Sequence, residues 1–392
     1  MKYNNTTRKK LKIVRVSTVP ASLYTFCNGV LKALSEKYEV VAVSSPGDRL
    51  KALGEREGVE VRAVAMERHI SPFKDLKSLW RLWRLFKKER PDMVHSMTPK
   101  AGLLSMMAAR MAGVPVRVHT FTGLIWPTTK GFKRRILIIT DRILCSCATH
   151  LNPEGRGVRD DMVRQGITRK DLTIIANGNV RGIDKRHYDP GRADVIQVAE
   201  PLKHHDKVTF IFVGRLVGDK GINELVEAFG RLHKMRPETR LVLVGQQEPD
   251  LDPLSTDTLE KMANDDGIEV VGRQEDVRPW LLSADVLAFP SYREGFPNVV
   301  LEAGAMGLPA IVTDINGSRE IIENEYNGMI IKPRDSEALL GAMLELTDNG
   351  KKRVLMASRA REHIISKWST EIVRQGLYDY YDKILAERLS LK

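Results

Sequence analysis

The chain has 392 residues, 42% of them apolar and 29% charged, with Gly and Pro at ordinary frequency. Its length is about two and a half times the ~150-residue norm for one domain, so two cores are expected; the composition excludes disorder, collagen-like repeats and a polytopic membrane protein. The formal charge of +12 admits nucleic acid, anionic lipid and phosphorylated ligands as partners, and three cysteines are too few for a disulfide framework and fit a reducing cytosol.

The start, residues 1–10, is polar and basic, and residues 11–18 are too short and too charged for a secretory leader. No stretch approaches about 18 uncharged apolar residues, so a soluble or peripheral protein is expected. The first strand is expected over 12–17, followed by a turn at Pro20 and an amphipathic helix over about 23–35. Strands follow at 40–44 and 59–65. Residues 76–88 place Leu76, Leu79, Trp80 and Trp83 at helical spacing until Pro91 stops the pattern, and this helix is read as packing on a sheet. Strand-like runs at 93–95 and 116–119, with another near 172–175, complete the first half. A polar passage, 177–204, reads as a linker. The rhythm then restarts with strands at 208–213, 240–244, 268–271, 286–289 and 310–312 between helical segments. A final helix, 371–389, carries Val373, Leu377, Tyr380, Tyr381 and Ile384 on one face.

Strands alternating with helices predict an α/β fold of two Rossmann-like domains facing across a cleft, with ligands beyond the carboxyl ends of the strands. The expected domains are 1–180 and 181–370, with the helix at 371–392 packing back on the first. The charge divides unevenly between them. Residues 1–195 hold 37 Lys and Arg against 18 Asp and Glu, a net of +19, while residues 196–392 carry a net of −7. No zinc spacing, RNP-like aromatic strand or basic heptad array accompanies the positive half. Nucleic acid is therefore a minor alternative, not an expected partner.

The strongest chemical signal is 290–303, where a strand runs into a Gly-containing loop and a helix begins near Pro297–Asn298. Free N–H groups in that first turn suit a diphosphate. Glu294 and Glu302 flank it, placed to meet the parts of a ligand on either side of the phosphates. The second signal is Gly214-Arg215 through Lys220-Gly221, directly after strand 208–213. A guanidinium and an ammonium in a strand-end loop also suit a diphosphate, and the pattern is neither a P-loop nor a GxGxxG fingerprint.

These two segments, GR-x4-KG and E-x7-E, resemble those of the retaining glycosyltransferases of the GT4 family, which have the GT-B fold. The N-terminal half resembles them too, through His119-Thr120-Phe121-Thr122-Gly123. The runs 95–103 and 178–184 are similar to the PglA/CapM-type branch, which acts early in assembling polyprenyl-diphosphate-linked glycans for capsules, O-antigens or glycoproteins. Many GT4 members have a Gly-Gly pair after the first strand. Here Ser22-Leu23-Tyr24 stands in that loop, as is common in this branch.

The resemblance implies roles residue by residue. Arg215 and Lys220, with Gly214 in the same loop, would neutralise the donor diphosphate. Glu302 would take the ribose hydroxyls and Glu294 those of the transferred sugar. The N–H groups around Gly295, Phe296, Asn298 and Val299 would support the phosphates, and Arg273 would frame the base. His119 would lie near the reacting sugar. Ser22, Lys100, Gly123, Lys133 and Arg134 are candidates for the acceptor side, the last two in a basic loop, 128–136, that also carries Phe132.

The donor expected is a nucleotide sugar, UDP-linked, and the acceptor a polyprenyl-diphosphate saccharide. No cofactor and no metal ion is expected, because the cations and a helix end already serve the diphosphate. Same-face attack is favoured over a covalent intermediate on Glu294. The expected location is cytoplasmic, peripheral on the inner face of the plasma membrane against anionic lipid. A nucleotide-sugar 2-epimerase of GT-B fold is the alternative enzyme, and a basic nucleic-acid-binding protein the alternative outside enzymes.

Overall fold

The computed structural model describes residues 10–67, 71–248 and 252–390; residues 1–9, part of the polar start, lie outside them. The chain forms two compact units. The first runs up to Glu154, resumes over Val158–Arg181 and takes in the chain from Val373 onward; the second holds Gly155–Gly157 and Gly182–Ile372.

The first unit is built on a parallel sheet of β1 (Lys12–Val16), β2 (Glu39–Ser44), β3 (Glu60–Ala63), β4 (Met93–Met97), β5 (Val116–Phe121) and β6 (His150–Pro153), in the order β3-β2-β1-β4-β5-β6. Helices cover both faces, so the central strands are buried runs without alternation, as in Ile13–Val16 and Met93–Met97. One face packs on helices Pro72–Glu89, Pro99–Ala112 and Gly131–Cys147. The other packs on Pro20–Phe26, Val30–Lys37, Asp48–Glu57 and the last helix, Thr370–Ser390, which buries Leu377, Tyr380, Tyr381 and Ile384.

Two sequence expectations are corrected here. The helix expected over 23–35 is two helices, because the chain breaks after Phe26 and turns through Gly29 at φ +68°. The strand expected near 172–175 does not form; Leu172 makes only an isolated bridge to Leu151. The sixth strand is instead His150–Pro153, whose sequence HLNP has too little apolar alternation to announce itself.

A polar cluster lies inside this unit. Arg15 is only 3% exposed, and its Nη1 donates to the Tyr381 hydroxyl at 2.6 Å and lies 2.9 Å from His95 Nδ1. His95 Nε2 meets Thr120 Oγ1 at 2.7 Å. Burial, then the neighbouring guanidinium, holds the His95 imidazole well below the usual histidine range. The cluster fastens the last helix to the sheet by hydrogen bonds formed in a low-dielectric interior, where they are strong and costly to break.

The second unit repeats the plan. Its strands are β7 (Val208–Val213), β8 (Thr239–Val244), β9 (Ile268–Gly272), β10 (Val286–Phe289), β11 (Ala310–Thr313) and β12 (Gly328–Ile331), all parallel, in the order β12-β11-β10-β7-β8-β9. The passage read as a linker contains a helix, Ala193–Ala199, and belongs to this unit beyond Arg181. In each sheet the strand order reverses between the first and fourth strands, β1 and β4 or β7 and β10. Chains leaving those neighbours diverge, which opens a crevice at their carboxyl ends.

Candidate active site

In the second unit both sequence signals fall at that switch point. The loop after β7 carries Arg215 and Lys220; the loop after β10 carries Glu294, Gly295 and Phe296 and enters helix Asn298–Ala305. Pro297 is the N-cap of this helix, one place ahead of the first-turn position expected for it. The N–H groups of its first turn have no carbonyl one turn back within the helix, and they sit at the positive end of the peptide dipoles.

Lys220 and Glu294 form an ion pair through Nζ and Oε1. Ser291 Oγ donates to the same Oε1 at 2.8 Å, and the ammonium lies 5.8 Å from the centre of the Phe289 ring. The pair is mostly shielded, with side chains 15% and 16% exposed. Arg215 is more open and pairs with Glu248 at 2.9 Å. Glu302 is buried on helix Asn298–Ala305. Arg273 stands exposed immediately after β9, and Asn298 and Val299 are half-buried in the first turn.

Close backbone contacts hold the two loops together. Gly221 has φ +72°, and a Cβ there would lie 2.2 Å from the Pro290 carbonyl oxygen. Tyr292 N–H donates to the Asp219 carbonyl at 2.9 Å, and Arg293 pairs with Asp219 at 3.1 Å. The sequence reading missed a third loop. Gly317, after β11, packs on Gly295 and Phe296 from behind. Glu320 accepts from the N–H groups of Arg156 at 2.6 Å and Gly157 at 3.0 Å. The signal available for it was Asn316-Gly317-Ser318, a turn and helix start after an apolar run.

In the first unit, Ser22, Lys100 and Gly123 come from segments that follow β1, β4 and β5. Lys100 is engaged, pairing with Asp75 at 2.7 Å with both side chains largely covered. The basic loop expected at 128–136 is in fact helical from Gly131 onward. Lys133 is exposed there, while Arg134 bonds the Gln165 side chain and lies over Trp126 at 5.7 Å.

His119 is buried in β5, at 1% exposure. Its Nδ1 lies 2.9 Å from Ser96 Oγ, and its ring meets Phe121 edge-on and packs beneath Gly102. Burial pushes its pKa down to about 3, so the ring is neutral at working pH and available only as a neutral hydrogen-bonding group.

Linkage makes this measurable. The folded pKa lies below the ordinary value of 6.5, so the unfolded chain takes the proton first. Stability is complete above pH 6.5 and is lost as pH falls toward 3. At pH 5 His119 is expected to lower stability by about 2 kcal/mol. The denaturant midpoint of the wild type should therefore fall more between pH 7.5 and pH 5 than that of His119→Asn, and equal slopes would contradict the burial argument.

With this geometry in place, comparison with known proteins decides the family. The profile of the family "Glycosyl transferases group 1" matches residues 196–363, and that of "Glycosyl transferase 4-like domain" matches residues 25–178. The chain belongs to the group 1, GT4-like glycosyltransferases. It is thus an enzyme. This glycosyltransferase is 29% identical, over 97% of its own length and 99% of the other's, to the capsular polysaccharide biosynthesis glycosyltransferase CapM of Staphylococcus aureus. It is 30% identical to the Escherichia coli UDP-Gal:alpha-D-GlcNAc-diphosphoundecaprenol alpha-1,3-galactosyltransferase, over 76% of this chain and 77% of that one. Its fold is GT-B. The Anabaena Alr3699/HepE structure in complex with UDP superposes with a TM-score of 0.78 over 95% of this chain and all of that one, at 16% identity.

Proposed function

We propose that this glycosyltransferase moves a hexose or HexNAc from a UDP-sugar, with retention of anomeric configuration, to a saccharide carried on polyprenyl diphosphate. The reaction belongs to surface polysaccharide or glycan assembly, at the inner face of the plasma membrane. The observation that carries the reading is the meeting, at the β7–β10 switch point, of the loop that holds Arg215 and Lys220 with the loop that enters helix Asn298–Ala305. Two cations and a helix start in adjoining loops would suit a diphosphate, which would compete with Glu248 and Glu294 for them. The E. coli relative's name supplies the rest, a UDP-hexose donor and a diphosphoundecaprenol acceptor.

Breaking the glycosidic bond of a nucleotide sugar puts charge on the departing diphosphate. A site whose donors already point at that charge lowers the barrier without reorganising. Lys220 and Arg215 would supply the cations and the helix start the N–H donors. Glu302 would hold the ribose and Glu294 the transferred sugar. With the leaving phosphate and the attacking hydroxyl on one face of the sugar, the phosphate oxygen accepts the acceptor's proton as the new bond forms. The covalent route of a retaining glycosidase would need a carboxylate nucleophile against the anomeric carbon. Glu294 instead shares its Oε1 between Lys220 and Ser291, which suits holding a hydroxyl better than attack.

The test is a panel of nucleotide sugars with free UDP measured, run with and without bacterial lipid extract. UDP release that depends on the extract, with the product's anomeric configuration retained by NMR, is the expected result. Release of a free 2-epimer with no acceptor would replace the reading with an epimerase. The reading also uses no metal, so transfer is expected to persist within about twofold in EDTA, since the protein's own cations carry the phosphate charge; loss of activity restored by Mg²⁺ would refute that part.

A further inference from the structure

We infer that the outer surface of the helix layer Pro72–Glu89, Pro99–Ala112 and Gly131–Cys147 is the face on which the enzyme docks to an anionic lipid bilayer. The inference deepens the proposed function, and rests on its reading that the acceptor lies in a membrane. Residues 72–147 hold 15 Lys and Arg and four Asp and Glu, a net of +11 within a chain whose total is +12. All three helices cover the same face of the first sheet. The four acids are occupied. Asp75 pairs with Lys100, Glu89 with Lys12, Asp92 accepts from the Lys12 N–H, and the half-buried Asp141 accepts from the Trp126 indole N–H.

Apolar side chains stand among the outward cations. On the Pro72 helix, Ser78, Leu82 and Phe86 face the sheet. The opposite stripe presents Phe73 at 91%, Leu76 at 66% and Trp80 at 51% exposure, three and four residues apart. Lys77 and Arg81 flank it, and the Arg84 guanidinium lies over the Trp80 ring at 4.7 Å. On the Gly131 helix, Phe132 at 76%, Ile139 at 53% and Ile143 at 40% form a similar stripe, with exposed Arg135 and Arg142 along one side of it.

A sheet-covering helix needs one apolar stripe; these two carry a second, facing water. Large exposed apolar groups beside lysines and arginines, with an indole among them, suit the lipid interface. There the rings enter the headgroup boundary while the cations meet lipid phosphates. A protein partner would favour fewer lysines at the centre of such a face. In a parallel sheet each covering helix starts at the strands' carboxyl edge, so Phe73 and Phe132, both in first turns, put the apolar contacts at the edge where Ser22, Lys100 and Gly123 lie.

The test uses the full chain in co-sedimentation with vesicles of phosphatidylglycerol and phosphatidylethanolamine, against vesicles of phosphatidylcholine alone. Binding is expected only to the anionic vesicles, falling with salt, and with a blue shift of Trp fluorescence that Trp80→Phe removes. Lys77→Glu with Arg81→Glu should weaken it by about tenfold or more, as should Phe73→Ser with Leu76→Ser. All variants should keep transfer to a detergent-dispersed acceptor within about twofold, the chemistry being elsewhere. Unchanged vesicle binding in the variants would overturn the inference. So would a wild-type dimer that the same substitutions dissociate, which would make the face a contact between copies. UDP titrated into the same preparation without lipid tests the donor site separately, so failure of one reading is told from failure of the other.

Discussion

Lys220→Ala is expected to lower the transfer rate by about a hundred- to a thousand-fold while leaving the fold in place. Removing one donor aimed at developing charge in a water-poor site costs about that much in other enzymes. On the proposed reading Lys220 would be such a donor: it is 15% exposed, held by Glu294 and backed by the Phe289 ring. Arg215 lies in the same loop, is more exposed and has Glu248 as a partner, so Arg215→Ala should cost less, about tenfold. Glu294→Gln keeps an oxygen for the Ser291 hydroxyl but loses the charge opposite Lys220, and its effect should fall on kcat more than on KM. The Lys220–Glu294 pair borders solvent and contributes little to stability, about 1 kcal/mol or less. Full activity of Lys220→Ala with unchanged melting would remove the residue from the site.

Gly317→Val is expected to destabilise the second unit by about 2–4 kcal/mol and to abolish donor binding, although Gly317 carries no chemistry. Its φ of +72° lies in the left-handed region, and an added Cβ would come within 2.5 Å of the Gly295 carbonyl oxygen and 2.7 Å of Phe296 Cα. Both obstacles are backbone, so no rotamer change relieves them. The left-handed penalty and the overlap together give the estimate. The displaced segment is the one that leads into helix Asn298–Ala305. A UDP titration of the variant, paired with a denaturation curve, checks both parts; normal UDP affinity would show that the loop tolerates the push.

The two loops that follow β7 and β10 could be read from sequence because each signal is contiguous. An apolar strand, a short loop with cations or carboxylates, and a helix start appear in order within 208–221 and again within 286–303. A doubly wound sheet brings such loops together whenever they follow its first and fourth strands. What escaped the reading depends on partners far away in the chain. His119 looks like an available imidazole at a strand end, yet Ser96 and Gly102, on the neighbouring strand and helix, enclose it. Gly317 acquires its meaning only from Gly295 and Phe296 behind the β10 loop. The Pro72 helix shows helical periodicity, but periodicity alone did not show that Phe73, Leu76 and Trp80 form a second stripe facing away from the core. His150–Pro153 is too short and polar to stand out, and only its place beside β5 makes it a strand.

A structure of the enzyme with a UDP-sugar bound tests the central claim most directly. The diphosphate should lie within hydrogen-bond distance of Lys220 Nζ and of N–H groups between Gly295 and Val299, with the ribose on Glu302 and the sugar on Glu294. A nucleotide seated on the loops of the first unit, or in the second with its phosphates away from Lys220 and helix Asn298–Ala305, would contradict it.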